Sequence, residues 1–207
     1  MYSLIKQELQ KTRELVSEMI VHEALLQTAE QIANCCVHSL KQGGKVLFAG
    51  NGGSAADSQH LAAELVCRLS YNRPAIAAMA LTTDTSALTA IANDFSFEYL
   101  FARQVEALGR AGDILIGIST SGQSANILRA LEAARSKGLI PIGFSGQAAP
   151  KMRERCDFVL NIPSSETPKI QEGHIIVGHI ICAVIEDLLY GAEYNSSKVE
   201  QFKLNNA

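Results

Sequence analysis

The sequence contains no block of lysine or arginine, and its formal net charge is −3 over 207 residues. That balance argues against a nucleic-acid-binding surface, which needs clustered positive charge. No uninterrupted apolar stretch reaches the roughly 18 residues that a membrane-spanning helix needs, so no membrane partner is expected. The opening Met1-Tyr-Ser-Leu-Ile-Lys-Gln-Glu8 is amphipathic and charged, unlike a signal peptide. Five cysteines (Cys35, Cys36, Cys67, Cys156, Cys182) form no CxxC pair and cannot all pair internally. Free thiols in a reducing cytoplasm are the expectation. Neither a linker-like stretch nor a long-period repeat divides the chain, and its 47% hydrophobic content suits one folded core.

What is present is alternation. Ile5, Leu9, Thr12, Val16 and Met19 mark one face of a first helix over 3–20. Leu25, Ala29, Ile32, Cys36 and Leu40 do the same for a second over 23–41, stopped by Gly43-Gly44. These two helices precede the first strand and need a partner, either the flank of the domain or the same helices of another subunit, of which the second is favoured. From Lys45 onward, strands are expected near 45–50, 76–81, 113–118, 139–144 and 157–162. Helices are expected over 54–68, 85–93, 97–109, 124–136, 149–154 and 169–190. The pattern predicts a three-layer α-β-α sandwich around a five-stranded parallel sheet, with ligands at the carboxyl ends of the strands. The loops after Phe48, Ile118 and Leu160 are expected to converge there. The expected division is one domain over 1–192, with oligomerisation helices over about 1–43, and a loose polar tail over 193–207. Val199, Phe202 and Leu204 are the tail residues able to dock on a neighbour.

Two strand–loop–helix junctions carry the chemistry. The first reads Lys45-Val-Leu-Phe-Ala-Gly-Asn-Gly-Gly-Ser54, the second Asp113-Ile-Leu-Ile-Gly-Ile-Ser-Thr-Ser-Gly-Gln-Ser124. Gly52 and Gly53 allow close backbone approach, and Ser54, Ser119, Thr120, Ser121 and Ser124 offer hydroxyls at a helix start. Such serines are also ordinary helix caps. Two loops at adjacent strand ends favour an anion site, with phosphate the natural occupant. Neither is a Walker A loop or a GxGxxG fingerprint.

Beyond the first loop, His60 and Glu64 stand four apart, on one helical face. Imidazole plus carboxylate suits a zinc site, and a carboxylate alone suits a general base, while a solvated surface pair has the same spacing. The segment is not HExxH. A third cluster, Lys169-Ile-Gln-Glu-Gly-His-Ile-Ile-Val-Gly-His179, sets Gln171, His174 and His179 among residues fit for burial. Gln171 and His179 lie roughly 12 Å apart along a helix axis, which leaves a shared metal open.

The stretches AGNGGSAADSQHLAAEL, TTDTSALTAIANDFSFEYLFARQVEALG, GISTSGQSANI and TPKIQEGHIIVGHIIC, in that order, resemble the sugar isomerase (SIS) domain family. Within it they are most similar to the phosphoheptose isomerases. The resemblance runs from the N-terminal helices to about residue 190. It implies a flavodoxin-like fold, a homotetramer with the N-terminal helices in the contact, and a cytoplasmic enzyme. The implied reaction turns sedoheptulose 7-phosphate into D-glycero-D-manno-heptose 7-phosphate, the first step toward lipopolysaccharide core heptoses. It implies one zinc per subunit held by His60, Glu64, Gln171 and His179. Implied substrate contacts are Gly52, Gly53, Ser54, Glu64, Arg68, Asn93, Asp94, Ser119, Thr120, Ser121, Ser124 and Gln171. Thr167-Pro168-Lys169 departs from members with Asp-Arg before the glutamine, so no acidic contact is carried over there.

Aldose–ketose isomerisation moves a proton between adjacent carbons through an enediol, so it needs a base for the C–H proton and a donor to the carbonyl oxygen. Glu64 is expected as base and His179 as acid. The alternative is a non-catalytic tetramer on the same scaffold that binds the bacterial replication initiator. That pattern lacks the carboxylate found here at Glu64.

Overall fold

Val46–Gly50 and Ile114–Ile118, two apolar pentapeptides buried at every position, run side by side as parallel strands from Val46 opposite Ile114 to Gly50 opposite Ile118. With no polar face, such strands need cover on both sides. The computed structural model describes residues 2–205, with side chains for residues 2–194. Its elements are α1 (Tyr2–Val21), α2 (Glu23–Lys41), β1 (Val46–Gly50), α3 (Gly53–Val66), β2 (Ala78–Ala80), α4 (Thr85–Asp94), a 3-10 turn (Phe97–Tyr99) and α5 (Ala102–Leu108). There follow β3 (Ile114–Ile118), α6 (Ala125–Ser136), β4 (Ile140–Ser145), α7 (Pro150–Arg153), β5 (Phe158–Asn161) and α8 (Thr167–Asn205).

The five strands form one parallel sheet in the order β2-β1-β3-β4-β5. Side chains alternate along each strand and feed two cores. Val46, Phe48, Ile114, Ile116 and Phe144 pack with α2, α3 and α8. Leu47, Ala49 and Leu115 pack with Leu100, Phe101 and Val105 of the α5 region and with Ile127 and Leu131 of α6. The three-layer sandwich is therefore as the sequence predicts. Truncating Ile116, 2% exposed at the centre of the sheet, to Ala costs about 2–5 kcal/mol. The start of the central pair is fixed by buried Asp113, which accepts from Lys45 N at 3.0 Å and Arg110 N at 2.8 Å and pairs with the Lys45 ammonium.

Because β1 lies between β2 and β3, chain direction switches at the β1–β3 boundary, and a crevice opens beyond the carboxyl ends there. The loops after β1 and β3 flank it. The loop after Leu160, expected to join them, follows the edge strand β5. It reaches the second loop only through the residues after β4, where Gly146 N donates to Thr120 O and Gln147 N donates to Ser164 O.

Four further expectations are corrected. The second N-terminal helix needs no other subunit, since Leu25, Ala29, Ile32 and Cys36 of α2 are buried in this chain's own core. Only Leu15 and Met19 of α1 are buried, while Leu4, Ile5 and Leu9 stay exposed. The helix expected over 97–109 is broken into a 3-10 turn and a short α5. In place of a loose tail, the α8 backbone stays helical to Asn205, and the side chains of Val199, Phe202 and Leu204 lie outside the described residues. Finally, α8 over residues 167–194 holds an 18-residue window of mean hydropathy 1.8, long and apolar enough to cross a membrane. The fold uses that character otherwise: Val177, Ile181, Cys182 and Ile185 are buried in the first core.

Candidate active site

The first loop ends in an unusual helix start. Gly52, at φ 56, is the N-cap of α3, with no side-chain cap bond. Ser54, expected as the cap, instead sits buried in the first turn, its N–H donating to Asn51 O at 3.0 Å. Ala55 N and Ala56 N donate to Gly52 O, so the first turn is closed by backbone bonds alone, and the positive end of the helix lies beside the crevice. Over Gly53 lies Gln171 of α8, so close that a Cβ on Gly53 would stand 2.6 Å from Gln171 Nε2.

In the second loop the hydroxyls face one another. Ser119 Oγ lies 2.9 Å from Ser124 Oγ and 3.5 Å from Ser121 Oγ, and Ser121 Oγ accepts from Gln123 N. Ser124 is the N-cap of α6 but makes no side-chain cap bond. The plain capping role is thus not taken up at either loop. A reciprocal amide pair joins the two loops: Asn51 Nδ2 donates to Asn126 Oδ1 at 2.9 Å, and Asn126 Nδ2 to Asn51 Oδ1 at 2.8 Å.

Two turns into α3, His60 and Glu64 meet His179 of α8. His60 Nε2 is 2.7 Å from His179 Nε2 and 3.2 Å from Glu64 Oε1. The helices cross closely because Gly178 admits Leu61, whose methyls would meet a Cβ there at 2.8 Å. One ligand atom from each of the three lies within 4.8 Å of the others, a spacing that suits one metal ion. Nitrogen ligands around a tetrahedral zinc stand roughly 3.3 Å apart, so a small opening of the histidine pair would admit one. Gln171, the fourth ligand implied by resemblance, stands at Gly53, whereas His60 lies about 10 Å further along α3. Within this chain the glutamine side chain packs against the first loop.

The remaining expected contacts, Arg68, Asn93 and Asp94, are exposed. Arg68 is exposed just past the end of α3. Asn93 and Asp94 close α4 at the surface, with Asn93 Nδ2 donating to Asp94 Oδ1 at 2.8 Å.

Sequence reasoning missed Asp57 and the Arg73–Glu186 pair, and it named His174 without a role. Asp57 sits one turn before His60, with a buried Oδ2 that has no partner among the described residues. Burial raises its carboxyl, and His60 and His179 oppose that shift. The spacing Asp57, His60, Glu64, all on one face, was the available signal. His174 is fully buried, its Nε2 3.1 Å from Ser145 O, and burial pushes its imidazole down to about 4. Arg73 and Glu186 form a buried ion pair that no local spacing announces.

Known proteins share this sequence pattern and fold. The SIS domain model matches residues 9–146. The chain is 51% identical over 189 residues to a phosphoheptose isomerase of Burkholderia pseudomallei, covering 91% of this chain and 96% of that one. It is 47% identical to the phosphoheptose isomerase of Aneurinibacillus thermoaerophilus, covering 96% of this chain and all of that one. The solved phosphoheptose isomerase of Neisseria gonorrhoeae superimposes with a TM-score of 0.84 at 41% identity, over 90% of this chain and 98% of its own. The chain belongs to the SIS domain family and, within it, to the phosphoheptose isomerases.

Proposed function

We propose that this chain is an aldose–ketose isomerase that converts D-sedoheptulose 7-phosphate to D-glycero-D-manno-heptose 7-phosphate through an enediol, opening the route to lipopolysaccharide core heptoses. The observation that carries the reading is the meeting of Glu64 and His179 within one cluster, beside two loops at the β1–β3 crevice whose helices have no side-chain cap bond. The phosphate is assigned to the amides and hydroxyls of Gly52, Gly53, Ser54, Ser119, Thr120, Ser121 and Ser124. Arg68, Asn93, Asp94 and Gln171 are assigned to the rest of the sugar.

Glu64 takes the C–H proton from the carbon beside the carbonyl, and His179 donates to the carbonyl oxygen as the enediol forms. The reverse transfers on the neighbouring carbon and oxygen complete the isomerisation. His60 hydrogen-bonds within the pair and holds both side chains on one side of the crevice. His60, Glu64 and His179 are also the residues that would hold a zinc ion. When bound, it supplies a positive charge that polarises the carbonyl.

We further assign the protein to the cytoplasm, as a homotetramer. Five free cysteines support the compartment, and the exposed Leu4, Ile5 and Leu9 of α1 support the assembly.

The test is turnover of sedoheptulose 7-phosphate in deuterated water by wild type and Glu64→Gln, with added zinc and with chelator. Turnover with deuterium on carbon in the product, abolished by Glu64→Gln, is expected. Turnover without deuterium would replace the enediol by a hydride shift, and no turnover would remove the assignment.

A further inference from the structure

Arg73 and Glu186 carry the most deeply buried charges of the described residues, with side chains 1% and 0% exposed and Nε 2.9 Å from Oε1. A buried ion pair returns its desolvation cost only when the remaining donors and acceptors are satisfied. Here they are, and the partners are telling. Arg73 Nη2 donates to Glu64 O at 2.8 Å, and Nη1 donates to Leu65 O at 2.7 Å and Pro74 O at 3.0 Å. Glu186 accepts from Leu69 N at 3.0 Å and Ser70 N at 2.8 Å. Burial alone would raise the Glu186 carboxyl, but these amides and Arg73 hold it below its ordinary value.

The carbonyls of Glu64 and Leu65 belong to the last turn of α3, which has no further turn of helix to satisfy them; besides the guanidinium, Leu65 O accepts from Ile76 N at 3.1 Å. No glycine ends this helix, since Cys67 is its C-cap. The guanidinium fills the role that a glycine-based cap fills elsewhere. The amides of Leu69 and Ser70 follow Arg68 directly. Seven residues before Glu186 on α8, and so on nearly the same face, stands His179.

We propose that the Arg73–Glu186 pair is a positioning device for the active site. It fixes the segment from Glu64 to Ser70 against α8, and so sets Glu64 toward His179 and Arg68 toward the substrate. The inference rests on the roles given above to Glu64 and Arg68. Arg73 touches neither the substrate nor a reacting atom. Lysine at its position keeps the charge and loses the planar fork that reaches Glu64 O and Glu186 together.

The experiment measures kcat and KM for Arg73→Lys, Glu186→Gln and a Val105→Ala control, each equally far below its own melting temperature. Val105 is buried in the opposite core, so its truncation loosens packing without reaching this pair. Both pair variants are expected to lose about tenfold or more in kcat, as small misplacements of catalytic groups do, and to raise KM. The control is expected to stay within about twofold of wild type, in line with a remote site. In an Arg68→Met background the KM effect of Arg73→Lys should vanish, because the residue it acts through is gone. Should Arg73→Lys fail to fold, Glu186→Gln carries the same comparison.

Pair variants that behave like the control, or a KM effect that persists undiminished without Arg68, would overturn the proposal. If Arg68→Met alone leaves KM unchanged, the substrate role of Arg68 is what fails. The kcat comparison, which runs through Glu64, then decides the proposal by itself.

Discussion

His60 and His179 face each other Nε2 to Nε2 at 2.7 Å, although 119 residues separate them in sequence. Two imidazole nitrogens at that distance share one proton, so one ring donates and the other accepts. Glu64, 3.2 Å from the same His60 nitrogen, completes a set that a divalent cation can occupy in place of that proton.

Zinc should therefore stabilise the fold in proportion to its affinity. At a free concentration a hundred times the Kd, the gain is about 2.7 kcal/mol. For a chain of this size that is roughly 5–10 °C in melting temperature. Thermal melts with zinc and with chelator check this, and His60→Ala or His179→Ala should remove the shift. An equal shift in those variants would move the metal elsewhere.

The glycines of the two loops should separate into kinds. Gly52 has φ 56 and ψ −120 and nothing within 4 Å of a new Cβ, so Gly52→Ala meets only backbone strain, about 1–3 kcal/mol. Gly53 needs no positive φ, but its new methyl would displace the Gln171 amide at 2.6 Å. Gly53→Ala should accordingly raise KM with little loss of stability. Gly122→Ala combines both faults, with φ 64, Ala149 Cβ at 2.6 Å and Ser145 Oγ at 2.9 Å. It should be the least stable of the three, and paired melts and KM values give the order directly.

The amide bridge between the loops is a third point of leverage. Asn126 is 2% exposed and exchanges two hydrogen bonds with Asn51. Asn51→Ala leaves that buried amide without these partners, at a cost of about 1–3 kcal/mol. Because the bridge ties together the two loops to which the phosphate is assigned, KM should rise as well. An unchanged KM in a destabilised variant would make the bridge purely structural.

The sequence showed the fold well and the site unevenly, and the difference is one of range. Strands such as Ile114–Ile118 are short apolar runs whose burial on both faces is written locally, and the observed strand lies inside the expected 113–118. The face formed by His60 and Glu64 follows from helical spacing alone. What brings His179 to it is the packing of α3 on α8 through Gly178, a contact between distant segments that no local period records. The same holds for Arg73 and Glu186, which are unremarkable surface-type residues until the fold buries them together. The N-terminal helices misled for a related reason. Both α1 and α2 show an apolar face; that of α2 is buried in its own chain along its length, that of α1 only at Leu15 and Met19.

Acid should act on His174. The folded chain holds this imidazole neutral with a pKa near 4 because burial disfavours its charged form. In the unfolded chain it titrates near 6.5, so between these values the unfolded state binds more protons. Its contribution is therefore complete above about pH 6.5 and falls as pH drops toward 4. At pH 5 the loss amounts to about 2 kcal/mol, at about 1.4 kcal/mol per pKa unit. His174→Gln can still donate to Ser145 O and carries no titrating group. It should be less stable than wild type at pH 7, yet lose less between pH 7 and pH 5. Chemical denaturation at the two pH values measures both slopes. Parallel slopes would mean that the acid sensitivity comes from other groups.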